Sequence, residues 1–177
     1  MRILLVYPSV LGEDGTAKKY RLAFLPPLSL ATLAALTPRA HSVVVVNDAV
    51  EHIDYDASWD LVGLTAMSSQ APRAYQIASE FKKRQVPVVM GGFHASMMPE
   101  EAAVHVDAVM VGEAEELWGP LLEDAMRSQL KPVYHASERP DLSAAVVPRW
   151  DCMNMSIYPR RLGSRLPMMP TFTTRGC

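Results

Sequence analysis

Two cysteines among 177 residues leave no disulfide framework, and both, Cys152 and Cys177, fall near the carboxyl end. Such usage fits a reducing compartment, so a cytoplasmic location is expected. Long apolar runs are missing too. The stretch from Met1 to Tyr7 is far too short to cross a bilayer, and Pro8 follows it in place of a signal cleavage pattern. A net charge of −2 gives no positive field for nucleic acid or an anionic membrane, and neither is expected as a partner. There is no Gly-x-Gly-x-x-Gly after the first apolar run, no phosphate-binding P-loop and no carboxylate–histidine cluster of metal-binding spacing. Internal repeats and low-complexity tracts are also absent. What is present is ordinary for a globular domain: 49% hydrophobic and 20% charged residues, in a length that suits one domain plus a tail. Eleven methionines are a moderate excess, which core gap-filling explains.

Five short apolar runs organise the chain: Ile3–Tyr7, Val43–Val46, Leu61–Thr65, Val86–Met90 and Ala108–Val111. Their near-continuous, β-branched hydrophobicity suits strands covered on both faces, as in a parallel sheet. Between them lie helical periodicities. Ala74, Ile77, Ala78 and Phe81 form one apolar stripe over 71–84, and Ala114, Leu117, Trp118, Leu121, Leu122 and Ala125 form another over 113–127. Pro72 and Pro99 fit first helical turns, Glu100 and Glu101 complement a helix start, and a helix over 27–37 stops at Pro38. Residues 50–59 read equally as a short helix or a plain loop. The alternation predicts a doubly wound five-stranded parallel α/β sheet flanked by helices over 1–128. Residues 129–177 are rich in Pro and Arg and read as a linker, within which Val133-Tyr134-His135 has the composition of one short strand.

In an open parallel sheet, ligands bind outside the carboxyl ends of the strands, near the point where strand order reverses. Tyr7, Pro8, Ser9 and Val10 close the first run; Thr65, Ala66, Met67, Ser68 and Ser69 the third; Gly91, Gly92, Phe93 and His94 the fourth; Gly112 and Glu113 the fifth. Small hydroxyls, a glycine pair and helix-start N–H groups suit a flat heterocycle and a phosphodiester better than a metal ion. Local structure offers a second account of each. Thr65, Ser68 and Ser69 suit helix caps, Glu113, Glu115 and Glu116 suit a positive helix start, and Gly91-Gly92 suits a tight turn. His94, beside a helix start, suits a local hydrogen bond. Thr65 stands where a phospho-accepting receiver domain would carry Asp.

The ordered set of short motifs resembles the amino-terminal cobalamin-binding domain of cobalamin-dependent radical S-adenosylmethionine (SAM) enzymes. The motifs are Pro26-Pro27-Leu28-Ser29-Leu30, Asp60-Leu61-Val62-Gly63-Leu64-Thr65, Gly91-Gly92-Phe93-His94, Pro99-Glu100-Glu101-Ala102, Val111-Gly112-Glu113-Ala114-Glu115, Pro148-Arg149-Trp150-Asp151 and Thr174-Arg175-Gly176-Cys177. The likeness covers nearly the whole chain. It implies a Rossmann-like or flavodoxin-like fold with cobalamin as ligand, held by Tyr7, Pro8, Ser9, Val10, Thr65, Ala66, Met67, Ser68, Ser69, Gly91, Gly92, Phe93, His94, Gly112 and Glu113. Cobalamin-binding domains carry Asp-x-His-x-x-Gly, Ser-x-Leu and Gly-Gly. The last two map onto Thr65-Ala66-Met67 and Gly91-Gly92. Over the first this chain reads Tyr7-Pro8-Ser9-Val10-Leu11-Gly12, with Ser9 where the cobalt-ligating His would stand. Ser ligates cobalt poorly, so the resemblance implies base-off cobalamin with no protein imidazole on the metal.

By the same resemblance Cys177 is the first of three cysteines that hold a four-iron (4Fe-4S) cluster, which cleaves SAM reductively. Cluster and SAM belong to a longer enzyme whose barrel is this module's partner, and methylation of an unactivated carbon is the expected reaction. By itself the chain is expected to bind the cofactor and catalyse nothing, so no residue is assigned a catalytic role. Lys82, Lys83 and Arg84 are expected at a solvated helix end, as are Arg160, Arg161 and Arg165 on the surface. Two rival readings stay open: an α/β packing domain that has lost cobalamin, and a flavin or nucleotide module on the same edge.

Overall fold

The computed structural model describes residues 1–158 except 24, 138, 139, 142 and 144. Six strands alternate with helices: β1 (Arg2–Tyr7), α1 (Leu28–Leu36), β2 (Ser42–Asn47), β3 (Leu61–Thr65), α2 (Ala71–Lys83), β4 (Val88–Gly91), α3 (Phe93–Met97), α4 (Pro99–His105), β5 (Ala108–Val111), α5 (Trp118–Met126) and β6 (Val133–His135). Short 3-10 turns stand at Ser68–Gln70 and Met155–Ile157. All strand pairs are parallel, in the order β2-β1-β3-β4-β5-β6. The expected α/β architecture with a parallel sheet is therefore the observed one, with one correction. The sheet has six strands rather than five, because Val109, Met110 and Val111 pair with Val133, Tyr134 and His135.

Continuous hydrophobicity in the strands follows from two cores. On one face Leu4, Val6, Val62 and Leu64 pack under Ala74, Ile77 and Phe81 of α2, Ala95 of α3 and Ala102 of α4. On the other, Ile3, Leu5, Val43 and Val45 pack under Leu30 and Ala34 of α1 and Trp118, Leu121 and Leu122 of α5. Each large side chain buried this way contributes about 2 kcal/mol.

One helix boundary departs from the periodicity. The helix expected over 113–127 begins only at Trp118, since the Pro120 ring needs the space of the carbonyl four residues back. Helix α1 ends where expected, with Thr37 closing onto the Leu33 carbonyl just before Pro38. Residues 50–59 hold no helix; Asp54 Oδ1 accepts from the amides of Asp56 and Ala57 in a turn. Beyond β6 the chain returns to the opposite side of the sheet. There the Val45 amide donates to the Cys152 carbonyl (2.8 Å), and the Arg149 amide donates to the Ala31 carbonyl (2.9 Å). Among the described residues no helix is long and apolar enough to cross a membrane.

Candidate cofactor site at the carboxyl edge

Strand order reverses between β1 and β3, so the chain leaves those strands toward opposite faces, and their carboxyl ends are where an open α/β sheet binds a ligand. The residues singled out from sequence gather along this edge. Tyr7, Val10, Thr65, Gly91, Gly92 and Glu113 are half-buried; Met67, Ser68, Ser69, Phe93 and Gly112 are exposed; Pro8, Ser9, Ala66 and His94 are buried.

The glycine pair divides into two roles. Gly92 has φ +89°, and a Cβ there would stand 2.5 Å from Thr65 Oγ1 and 3.2 Å from the Ala66 amide nitrogen. The end of β4 thus crosses directly over the end of β3, a crossing also fastened by the His94 amide on the Ala66 carbonyl (3.0 Å). Gly91 has only ordinary space around it, the nearest atom to a Cβ being Met110 Cβ at 3.6 Å. Gly112, φ +92°, is similarly tight against Ala136, and its amide donates to Ser96 Oγ at 3.0 Å.

Ser9 turns inward. It is 2% exposed, and its hydroxyl lies 2.8 Å from both the Val10 and the Lys18 carbonyl oxygens. With its one proton committed to the loop's own backbone, it has no donor left for a ligand. His94 is buried as well. Its Nε2 lies 2.8 Å from the Tyr75 hydroxyl, which donates to Glu101 Oε1 at 3.0 Å, so Nε2 is the ring nitrogen that donates to the phenol oxygen. Nδ1 has no hydrogen-bond partner among the described residues. Burial and the neighbouring Glu101 carboxylate raise the Tyr75 pKa, which keeps the phenol protonated.

Sequence reasoning missed two residues of this edge. Gln70 is 6% exposed and joins the two loops at the reversal: its Nε2 donates to the Pro8 carbonyl (2.6 Å), and its Oε1 accepts from the Met67 amide (2.9 Å). Asp48, the first residue beyond β2, is fully buried and accepts from Arg73, Lys19 and the Ser9 amide. Burial acts to raise its pKa, but those hydrogen bonds outweigh it and hold the carboxyl below the usual carboxylate range. Asp48 had a signal, since Asn47-Asp48 closes the valine run as Pro8-Ser9 closes the first.

Large apolar side chains stand in solvent along the same edge: Met67 and Phe93, with Met97 and Met98 at the end of α3, and Tyr20 and Leu22 in the loop after β1. A concentration of exposed apolar area marks a binding surface. Among the described residues no group of three His, Cys, Asp or Glu is placed to hold a metal ion. Cys177, Arg160, Arg161 and Arg165 lie outside the described residues. Cys152 is half-buried in the α1/α5 core, and burial raises its thiol pKa.

An open parallel sheet with a small-residue, apolar-rimmed carboxyl edge defines a cofactor-binding α/β domain. The family model described as "B12 binding domain" matches residues 21–119, more than half of the chain, and the chain belongs to that family. The match begins beyond Tyr7–Gly12, so it does not depend on the altered first motif. The chain is 38% identical over 85% of its length to a bacteriochlorophyllide d C-8(2)-methyltransferase of Chlorobaculum tepidum, covering 33% of that protein. It is 29% identical, over the same shares, to the bacteriochlorophyllide d C-12(1)-methyltransferase of that organism. It is 28% identical over 89% of its length to a hopanoid C-2 methylase of Rhodopseudomonas palustris, covering 32% of that protein. The chain thus spans about a third of the length of these relatives, and it is a cobalamin-binding domain related to methyltransferases.

The edge fits cobalamin. Side chains are small at Gly91 and Thr65, where a nucleotide tail would lie against the backbone. Met67 and Phe93 present exposed apolar surface that a corrin could cover, and His94 Nδ1 is left without a partner among the described residues.

Proposed function

We propose that this chain is the cobalamin module of a radical SAM methyltransferase, with the 1–128 domain presenting the cofactor and 129–177 leading to the barrel. Cys177 then supplies the first of three thiolates for a four-iron cluster, and the whole enzyme methylates an unactivated carbon in the cytoplasm. The observation that carries this reading is the apolar-rimmed edge over the Gly92–Thr65 crossing, in a chain whose relatives are named as methyltransferases. Two of those relatives are named for bacteriochlorophyllide d and one for a hopanoid. We take molecules of those two named kinds as the substrates to test first.

When bound, cobalamin supplies a carrier for the methyl group. The chain's own contribution is to hold and orient it. Gly91, Gly92 and Thr65 leave room for the tail, Met67 and Phe93 form an apolar seat, and Ser68 and Ser69 offer hydroxyls at the rim. No side chain among Tyr7, Pro8, Ser9 and Val10 carries an imidazole, so these residues would give a bound cobalamin no nitrogen ligand.

The test is direct. Mixed with hydroxocobalamin and desalted, the protein should retain colour with a base-off visible spectrum. A colourless eluate would support the packing-domain rival, and a yellow protein as isolated the flavin rival.

Position 9 gives a second expectation. Ser9→His would force an imidazole into a site that is 2% exposed and sever the bond to the Lys18 carbonyl. It should destabilise the protein by about 2 kcal/mol. The EPR spectrum of the cob(II)alamin-loaded variant should show no nitrogen splitting from a protein ligand. Clear splitting in a stably folded variant would mean that this position does face cobalt.

A further inference from the structure

We propose that Asp48 is the positioning residue of the cofactor edge: its buried carboxylate fixes both legs of a small hairpin that walls the site. This rests on the cobalamin reading. The hairpin is the loop after β1. Leu11 pairs antiparallel with Ala17, the Lys18 amide donates to the Val10 carbonyl (2.9 Å) and the Gly12 amide to the Thr16 carbonyl (2.8 Å). Its legs converge at Ser9 and Lys19, and both end on Asp48. The Ser9 amide reaches Oδ2 at 3.2 Å, and Lys19 Nζ reaches Oδ1 at 2.9 Å. The Lys19 ammonium also donates to the Asp48 and Glu51 carbonyls.

Arg73 supplies the third side. Its Nε and Nη2 grip the two carboxylate oxygens at 2.8 and 3.0 Å, which ties the base of the hairpin to α2. Gln76, one turn on, holds the tip through the Gly15 carbonyl. Immediately beyond the second leg, the Tyr20 amide bonds to the Ala49 carbonyl, and exposed Tyr20 and Leu22 follow. The orientation of this apolar wall is therefore set where the legs meet.

A buried carboxylate between two cations is a poor way to gain stability, because desolvation offsets most of the attraction. What it confers is geometry, since four directed bonds from three segments admit one arrangement. The neutral amide of Asp48→Asn turns a donor toward cations and should release the hairpin while leaving both cores intact.

The experiment compares the wild-type chain with Asp48→Asn, Arg73→Lys and Lys19→Met, below their melting temperatures. It measures equilibrium affinity for hydroxocobalamin and amide hydrogen exchange without it. Asp48→Asn should melt cooperatively, bind about tenfold more weakly, and exchange faster only over residues 9–19. The other two should follow with smaller losses. Should Asp48→Asn not fold, Lys19→Met carries the comparison, since the Lys19 side chain is 44% exposed. A lower melting temperature with unchanged affinity and exchange would overturn the proposal. A wild-type chain that retains no cobalamin would overturn the cofactor reading, while the exchange comparison still decides whether Asp48 orders the hairpin.

Discussion

Replacing Gly92 with alanine should lower stability by about 3 kcal/mol and remove cobalamin retention, whereas the same change at Gly91 should leave the fold within about 1 kcal/mol of wild type. The difference arises from geometry that the dipeptide itself conceals. At Gly92 φ is +89°, a conformation that costs an L-residue about 1–2 kcal/mol. The new methyl would also sit 2.5 Å from Thr65 Oγ1. Rotating Thr65 relieves only that contact, because the Ala66 nitrogen and oxygen remain at 3.2 and 3.4 Å and belong to the backbone. Something must shift, and what shifts is the crossing of β4 over β3 on which the candidate site is built. Gly15 isolates the conformational part: it has φ +73° and nothing within 4 Å of a Cβ, so Gly15→Ala should show strain of about 1 kcal/mol without collision. Urea midpoints at constant slope give the stabilities, and visible absorbance after desalting gives retention. A Gly92→Ala protein as stable as wild type would mean that the crossing yields easily. Gly91→Ala that folds normally but binds weakly would place the cofactor against that strand end.

These contrasts show what could be read from the chain and what could not. The valine-rich β2 and the runs of β3 and β5 were legible because a strand covered on both faces needs no alternation, so hydrophobicity alone marks it. Strand β6 was legible as three strand-forming residues but not as a member of the sheet, since only Tyr134 of the three is buried. The start of α5 was misplaced because the apolar spacing continues back through Ala114 while Pro120 forbids the helix there. At the site, the strand-end rule found the edge but not its wiring. Asp48 meets partners 25, 29 and 39 residues away, and Gln70 reaches the Pro8 carbonyl across 62. No local pattern encodes such pairings. The chemistry of Ser9 as a poor cobalt ligand was readable from its residue type, but its inward turn onto the Lys18 carbonyl was not.

Trp118→Ala should be the most damaging single truncation on the α1/α5 face, at about 4 kcal/mol. The indole is 1% exposed and its far ring edge lies against mid-strand Gly63, where a Cβ would be 3.8 Å from it. Its Nε1 donates to Thr37 Oγ1 at 2.8 Å, across to the end of α1. One side chain therefore joins α5, α1 and β3, and its loss leaves a cavity that rigid strands cannot close. Trp118→Phe separates the contributions. It keeps most of the packing, and Thr37 Oγ1 still donates to the Leu33 carbonyl, so the cost should be only about 1 kcal/mol. Denaturant unfolding should show Ala well below Phe, with Phe just below wild type. Cobalamin affinity should follow the same order, because α1 and α5 frame the sheet face that carries Gly91 and Thr65. If Trp118→Ala cost no more than Trp118→Phe, the indole would be held by its hydrogen bond rather than its packing, and the second core would not be the support this edge stands on.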